Sequence, residues 1–189
     1  MQALSLFLQN ELNIPDRLIP ALMEYYREED ILKDEYLVKE GQLCQRMCLI
    51  SEGYFRFFSF SKRKVITHWI FGKNQLVTDV AGYFLQKTAK WNIQALTDTK
   101  VYTLTSTNYH VLRKNIPEWD QYEKKLLVKL MSALENRVYA LLSMTAEERY
   151  LYLFQSDSNM FNELPLQYLA SMLGMTPETL SRIRAKNMS

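Results

Sequence analysis

Apolar residues recur at helical intervals at both ends of this chain and gather into short runs between them. Leu4, Leu8 and Leu12 repeat every four residues, and Pro15-Asp16 restarts a segment carrying Leu18, Leu22 and Tyr25. Residues 1–26 are therefore predicted to be helical, capping the domain to their C-terminal side. From Ile31 to Leu104 the texture changes to β-prone runs at 36–38, 47–50, 54–60, 65–71, 91–95 and 101–104, punctuated by Gly41, Gly53, Gly72 and Gly82. Many short strands at close intervals predict a β-sandwich or roll. Ser61-Lys62-Arg63-Lys64 reads as a polar hairpin connection, a solvated tip and not a DNA patch.

After this region the helical period returns. Residues 108–114 make a short helix, and Pro117 opens a long one at an allowed first-turn position. Tyr122, Leu126, Leu130, Leu134, Val138 and Leu141 mark one side of it, with Leu127 and Met131 widening the stripe. Such a stripe suits a helix pairing with its twin, and equally one packed on its own domain's roll. A further helix near 146–155 carries Tyr150, Leu153 and Phe154 toward a core. The expected fold is α+β: a β-roll (jelly roll) domain with flanking helices at 1–116, a long helix at 117–143, and a small helical domain at 144–189.

The last stretch, LPLQYLASMLGMTPETLSRIRAK, carries the most specific pattern. Pro165 precedes a helix with Leu166, Leu169, Ala170 and Leu173 on its inner face, and Gly174 supplies a turn. Thr176 then caps a second helix that begins with Pro177. With Leu180 and Ile183 inward, Glu178, Thr179, Ser181 and Arg182 are left outside. This spacing reads as a helix-turn-helix, whose second helix enters the major groove N-terminus first. Arginine can pair bidentately with guanine, and glutamate can accept from cytosine N4. Ser181 could reach a base edge or a phosphate; Arg184 and Lys186, late in the helix, are assigned to phosphate. Gln167 and Thr176 could anchor the backbone at the helix starts. An ordinary helical hairpin, with Glu178 and Arg182 as a surface i,i+4 pair, is the alternative.

Composition adds limits. With 189 residues, 48% of them hydrophobic, the chain can bury a real core. A net charge of +2 is too small to mark a nucleic-acid binder, so DNA contact needs a local surface or two copies acting together. Cys44 and Cys48 form no disulfide framework and are expected to be reduced, and only His68 and His110 could join a metal site. No signal pattern or bilayer-length apolar run is present, so no membrane partner is expected and a cytoplasmic location follows by default. Without a convincing carboxylate pair or histidine cluster, enzymatic activity is not expected.

ETLSRI after a GMTP turn resembles the recognition helix of the cyclic-AMP receptor protein and fumarate-nitrate regulator (Crp/Fnr) superfamily. ILKDEYLVKEGQLCQRMCLISEGYFRFF resembles that family's entry into its β-roll, with turns at Glu40-Gly41 and Glu52-Gly53. The long helix stands where the family places its dimerisation helix, so the resemblance covers roughly residues 6–186. It implies a homodimer reading double-stranded DNA at a palindromic operator, with Leu126, Leu130, Leu134, Val138 and Leu141 at the dimer contact. Glu178 and Arg182 match the family's principal base-reading glutamate and arginine, and Ser181 the serine of the fumarate-nitrate branch. Where the cyclic-AMP receptor protein has another base-reading arginine this chain has Pro177, so a half-site nearer the fumarate-nitrate type is expected. Activation would further require a surface for RNA polymerase.

The same resemblance restricts cofactors. Relatives that bind cyclic nucleotides hold the ribose with a Gly-Glu pair and the phosphate with an arginine, since a buried phosphate needs a charged fork. Here Thr78-Asp79 stands near the first, while the arginine's place falls near Ala89, and Lys87 and Lys90 offer only point charges. No cyclic nucleotide is expected. The N-terminal cysteine cluster of iron-sulfur members is missing and His68 makes no haem ligand, so neither cofactor is expected. An unidentified small-molecule effector remains a candidate partner of the roll, with Thr78, Asp79, Lys90, Trp91 and Asn92 as its candidate contacts. Tyr83, Phe84, Trp91 and Tyr102 could line an apolar pocket, though aromatics in a roll are more often core. The rival function is a sensing or structural β-roll that binds no DNA.

Overall fold

In the computed structural model, which describes residues 1–61 and 64–188, the middle of the chain folds into two four-stranded antiparallel sheets. The strands are β1 (Tyr26–Ile31), β2 (Tyr36–Val38), β3 (Arg46–Glu52), β4 (Phe55–Ser61), β5 (Lys64–Phe71), β6 (Leu76–Val77), β7 (Asn92–Ala95) and β8 (Thr99–Thr105). One sheet is ordered β1-β8-β3-β6 and the other β2-β7-β4-β5. The tip residues Lys62 and Arg63 lie outside the described residues, but Ser61 pairs with Lys64 as the hairpin reading requires.

The alternation of β3 explains why 47–50 is a continuous apolar run. Cys48 and Ile50 face the cluster shared by both sheets, with Phe55, Val77, Ile93, Ala95 and Val101. Met47 and Leu49 face the opposite way, into a second cluster built with flanking helices. A strand buried on both faces loses the polar half of its period. Those helices are α1 (Gln2–Leu12), α2 (Ile19–Met23), α4 (Ser106–Asn115) and the first half of α5 (Trp119–Ser143). Leu4, Leu8 and Leu12 are the α1 stripe read from the sequence, and all three are buried here.

The C-terminal unit comprises α6 (Ala146–Ser156), α7 (Met160–Glu163), α8 (Leu166–Met172) and α9 (Pro177–Met188). Thr145 opens α6 through a capping box with Glu148, which satisfies two otherwise orphaned N–H groups. Tyr150, Phe161, Leu164, Leu169, Ala170, Leu173 and Leu180 form its core, to which the roll adds Tyr54, Ile70 and Leu96. The two domains therefore share one apolar cluster.

Leu180 is fully buried at the crossing of α8 and α9. Its truncation in Leu180→Ala is expected to cost about 2–5 kcal/mol, lost contacts plus a residual cavity. Urea denaturation of the full chain checks this, and unchanged stability of the C-terminal transition would contradict the packing.

Four elements have no clear signal in the sequence: β1, β6, α7 and α3 (Val80–Leu85). The strand β1, YREEDI, buries only Tyr26 and Ile31 at its ends because it is an edge strand paired to β8 alone.

Candidate nucleic-acid interface

The helix pair α8–α9 is assembled by its turn. Gly174 takes φ +67°, a left-handed conformation that glycine adopts at no steric cost. The turn closes on α8 through Gly174 N–H to Ser171 O (3.1 Å) and Met175 N–H to Ala170 O (3.0 Å). Thr176 Oγ1 then accepts the N–H of Thr179 at 3.3 Å, as its reading as a cap required.

Leu180 and Ile183 turn α9 inward, which fixes what stays outside. Glu178, Ser181 and Arg182 are all exposed, and their i, i+3, i+4 spacing places them on one face. The Glu178 carboxyl lies below its usual range: a backbone N–H at the helix start holds the anion, then the Thr176 hydroxyl, then the charge of Arg182. Arg182 has Thr179 Oγ1 at 3.5 Å, and Thr179 in turn lies 3.2 Å from Thr176 Oγ1. Thr179 thus stands between the cap and the arginine. Among the ion pairs within 4 Å of the described residues, Glu178 and Arg182 are not partnered with each other. The two side chains interact through their charges without closing to within 4 Å. Gln167 is exposed in the first turn of α8.

The two cations assigned to phosphate are placed differently. Arg184 lies on the inner side of α9 and donates to Phe161 O (3.0 Å) and Asn162 Oδ1 (3.3 Å), tying α9 to α7. Lys186 meets the Glu147 carboxylate at 3.0 Å. Both help hold α9 to its neighbours: Arg184 would meet phosphate only with the donors these bonds leave, and Lys186 would have to leave its partner first.

The unit is held on the roll through α8. The hydroxyl of Ser171 accepts the N–H of Thr67 at 3.0 Å, satisfying a donor on the edge strand β5. Arg56 is buried with its guanidinium 3.9 Å from the Tyr168 ring centre, and it donates to Thr67 Oγ1 at 2.9 Å. Burial and not a neighbouring cation is what lowers its pKa.

The helix α5 carries apolar residues on more than one face. Tyr122 and Leu126 are buried in the roll's helical cluster and Leu130 packs partly against it. Leu126, at 3% exposure, therefore contacts its own domain, which removes it from the expected dimer stripe and leaves Leu130 at its border. Leu127, Met131, Leu134, Val138 and Leu141 are exposed instead. Their steps alternate between four and three residues, a spacing that matches an a/d stripe. Leu127 and Met131 read from the sequence only as margins of the stripe; the alternating steps are the signal that separates this seam from the inner one.

The candidate effector contacts do not form one array. Thr78 donates to Arg46 O (2.9 Å), and Asp79 is buried as the N-cap of α3, accepting the Gly82 N–H at 2.6 Å. Trp91 packs at a tilt against His68, 4.5 Å between ring centres, and edge-on against Phe57. Asn92 accepts the Glu40 N–H at 3.2 Å while its buried Nδ2 has no partner, and Lys90 is exposed. Asp79 is thus a fold-holding cap, and its reading as a ligand acceptor is corrected. Ala89, at the place of the family's arginine, is buried against Gly41 and Gln42. Tyr83 and Tyr102 belong to the helical core cluster. Cys44 and Cys48 are free and buried, and burial pushes the Cys48 thiol up to about 12, which makes it an inert packing group.

Among the described residues no group of three or more His, Cys, Asp or Glu side chains is placed to hold a metal ion, and no helix is long and apolar enough to cross a membrane.

A β-roll, a long helix and a terminal pair of helices joined by a tight turn make up the fold. Solved structures share it at low identity. FixK2 from Bradyrhizobium japonicum superposes with a TM-score of 0.69 at 20% identity, over 85% of this chain and 83% of that one. The c-di-GMP-responsive global regulator CLP from Xanthomonas campestris gives 0.67 at 12% identity, over 92% of both chains. A transcriptional regulator of the Crp/Fnr family from Eubacterium rectale gives 0.68 at 14% identity, over 93% of this chain and 83% of that one. No family model and no curated protein sequence matches the chain.

Proposed function

We propose that this protein is a sequence-specific DNA-binding regulator that acts as a homodimer on a palindromic operator. The observation that carries the reading is the outer face of α9: Glu178, Ser181 and Arg182 lie exposed together over the first turns of a helix whose inner side is anchored by buried Leu180. An acceptor carboxylate, a hydroxyl and a guanidinium fork at that spacing suit base edges in a major groove. Thr176, Thr179 and Gln167 supply groups for the backbone at the two helix starts. The seam Leu127, Met131, Leu134, Val138 and Leu141 supports pairing with a second copy, which doubles the contacts of a chain with little net charge. RNA polymerase is the partner through which such a dimer would act.

Selection of bound duplexes from a random pool tests this. An inverted repeat with half-site centres about 10 base pairs apart is expected. A pool that enriches no motif from folded, dimeric protein would contradict the reading and favour a roll that binds no DNA.

A further inference from the structure

Where the roll, α5 and the C-terminal unit meet, they line a partly open cavity of about 310 Å³. Trp69 and Lys73 come from the roll, Asn136 and Arg137 from α5, and Arg149 and Tyr152 from α6, with the end of α8 closing it. We propose that this cavity binds a small organic anion, an aromatic or apolar body carrying one phosphate or carboxylate group.

Charge makes the first part of the case. Lys73, Arg137 and Arg149 line the cavity against a single carboxylate, Asp157. That carboxylate already accepts the Tyr54 hydroxyl at 3.2 Å and the Met160 N–H at 3.3 Å. Neither arginine has a carboxylate within 4 Å among the described residues. Burial, and then the charge of Arg149, pushes the Arg137 guanidinium down to about 10, so the two cations stand close enough to disfavour each other. An anion between them removes that penalty.

Hydrogen bonding makes the second. Arg137 donates to Met172 O (2.5 Å), and Arg149 to Leu173 O (2.8 Å) and Met144 O (2.6 Å). A guanidinium has five N–H groups, so most remain unspent. The nitrogens that make none of these bonds, Arg137 Nε and Nη1 and Arg149 Nη2, are not buried atoms without a partner, so they open on the cavity or on solvent. Fork-shaped donors of this kind match the oxygens of phosphate or carboxylate.

The apolar part of the site comes from the Trp69 indole, 5.0 Å beneath Arg137, and from the Tyr152 ring. The volume lies at the small end of ligand pockets, which suits one ring and one anionic group. The site lies apart from Thr78 and Asp79 at the β6–α3 junction. Because it spans the roll, the long helix and the recognition unit, its occupant would favour the docked arrangement over others. That consequence rests on the DNA-binding reading; the binding itself does not.

Calorimetric titration of the full chain with phenyl phosphate at fixed ionic strength tests the site, with the indole ¹⁵N signals of the three tryptophans followed in parallel. Saturable binding of one molecule per chain is expected, with the Trp69 signal shifting and the Trp119 signal still. Lys73→Gln, at an exposed rim position, is expected to weaken binding about three- to tenfold without affecting folding. Arg149→Gln is expected to abolish it, and Lys73→Gln decides the matter if that variant fails to fold. Benzoate separates a carboxylate preference from a phosphate one, and either supports the site. Phenol binding as tightly as phenyl phosphate would overturn it. So would a motionless Trp69 signal at about 10 mM phenyl phosphate, a concentration that detects even millimolar affinity. All these readings are made without DNA, so a failed duplex selection leaves them standing.

Discussion

Arg182→Ala is expected to weaken binding to the selected operator about a hundredfold and to relax selection at one symmetric base-pair position. A bidentate arginine–guanine contact contributes about 1–3 kcal/mol of discrimination, and a dimer loses it in both half-sites. The effect is large because Arg182 is exposed on the outer face of α9, with Thr179 Oγ1 as its near hydrogen-bond partner, so its guanidinium is available to the groove. Stability is expected to stay within about 0.5 kcal/mol of wild type, as for surface positions generally. Arg184→Ala should do the reverse. Its guanidinium holds Phe161 O and Asn162 Oδ1, so its loss loosens α9 against α7 while the salt dependence of DNA binding barely changes. Fluorescence anisotropy on the selected duplex at several salt concentrations separates the two. An Arg182→Ala protein with unaltered preference at every base pair would remove this residue from the readout.

Leu134→Lys carries the second large effect. Leu134 stands in the middle of the exposed seam of α5, at 57% exposure in the single chain, so the subunit itself should fold normally. In a paired helix the residue occurs twice. Replacing two buried leucines by two facing ammonium groups costs about 3–6 kcal/mol per dimer, a factor of a hundred or more in its dissociation constant. Sedimentation equilibrium is expected to show monomers at micromolar concentration, and DNA affinity should fall with dimerisation. Leu126→Ala is the contrasting variant: it removes a buried contact of the roll's helical cluster, so subunit stability drops by about 2–5 kcal/mol while the seam stays intact. A Leu134→Lys protein that stays dimeric would move the interface off this helix.

Both effects turn on which side of a helix a residue occupies, and that is only partly legible in the sequence. The Leu4-Leu8-Leu12 stripe, the run at 47–50 and the Gly174 turn each carry a period or a conformational demand that survives without coordinates, and they define the architecture. The strand β1 does not show, because an edge strand with charged residues between Tyr26 and Ile31 has no alternation to detect. On α5 two apolar seams overlap, one for the roll and one exposed; a single list of leucines merges them, and only burial separates Leu126 from Leu127. Cations pose a different difficulty. Arg182, Arg184 and Lys186 look alike in sequence, and only the positions of Phe161, Asn162 and Glu147 reveal that two of them are engaged. Asp79 follows the same logic in the roll, where a carboxylate near the place of the family's ribose-binding pair caps α3 instead. The cations Arg137 and Arg149 give no sequence signal, since an arginine on an amphipathic helix is ordinary and their convergence is a tertiary fact.

Two recognition helices are expected to read two half-sites together. The most direct measurement compares binding to the selected inverted repeat with binding to the same duplex after one half-site is scrambled. Two chains per intact duplex are predicted, with at least a hundredfold loss of affinity on scrambling, since several base contacts vanish at once. Equal affinity for both duplexes, or one chain per duplex, would contradict the account.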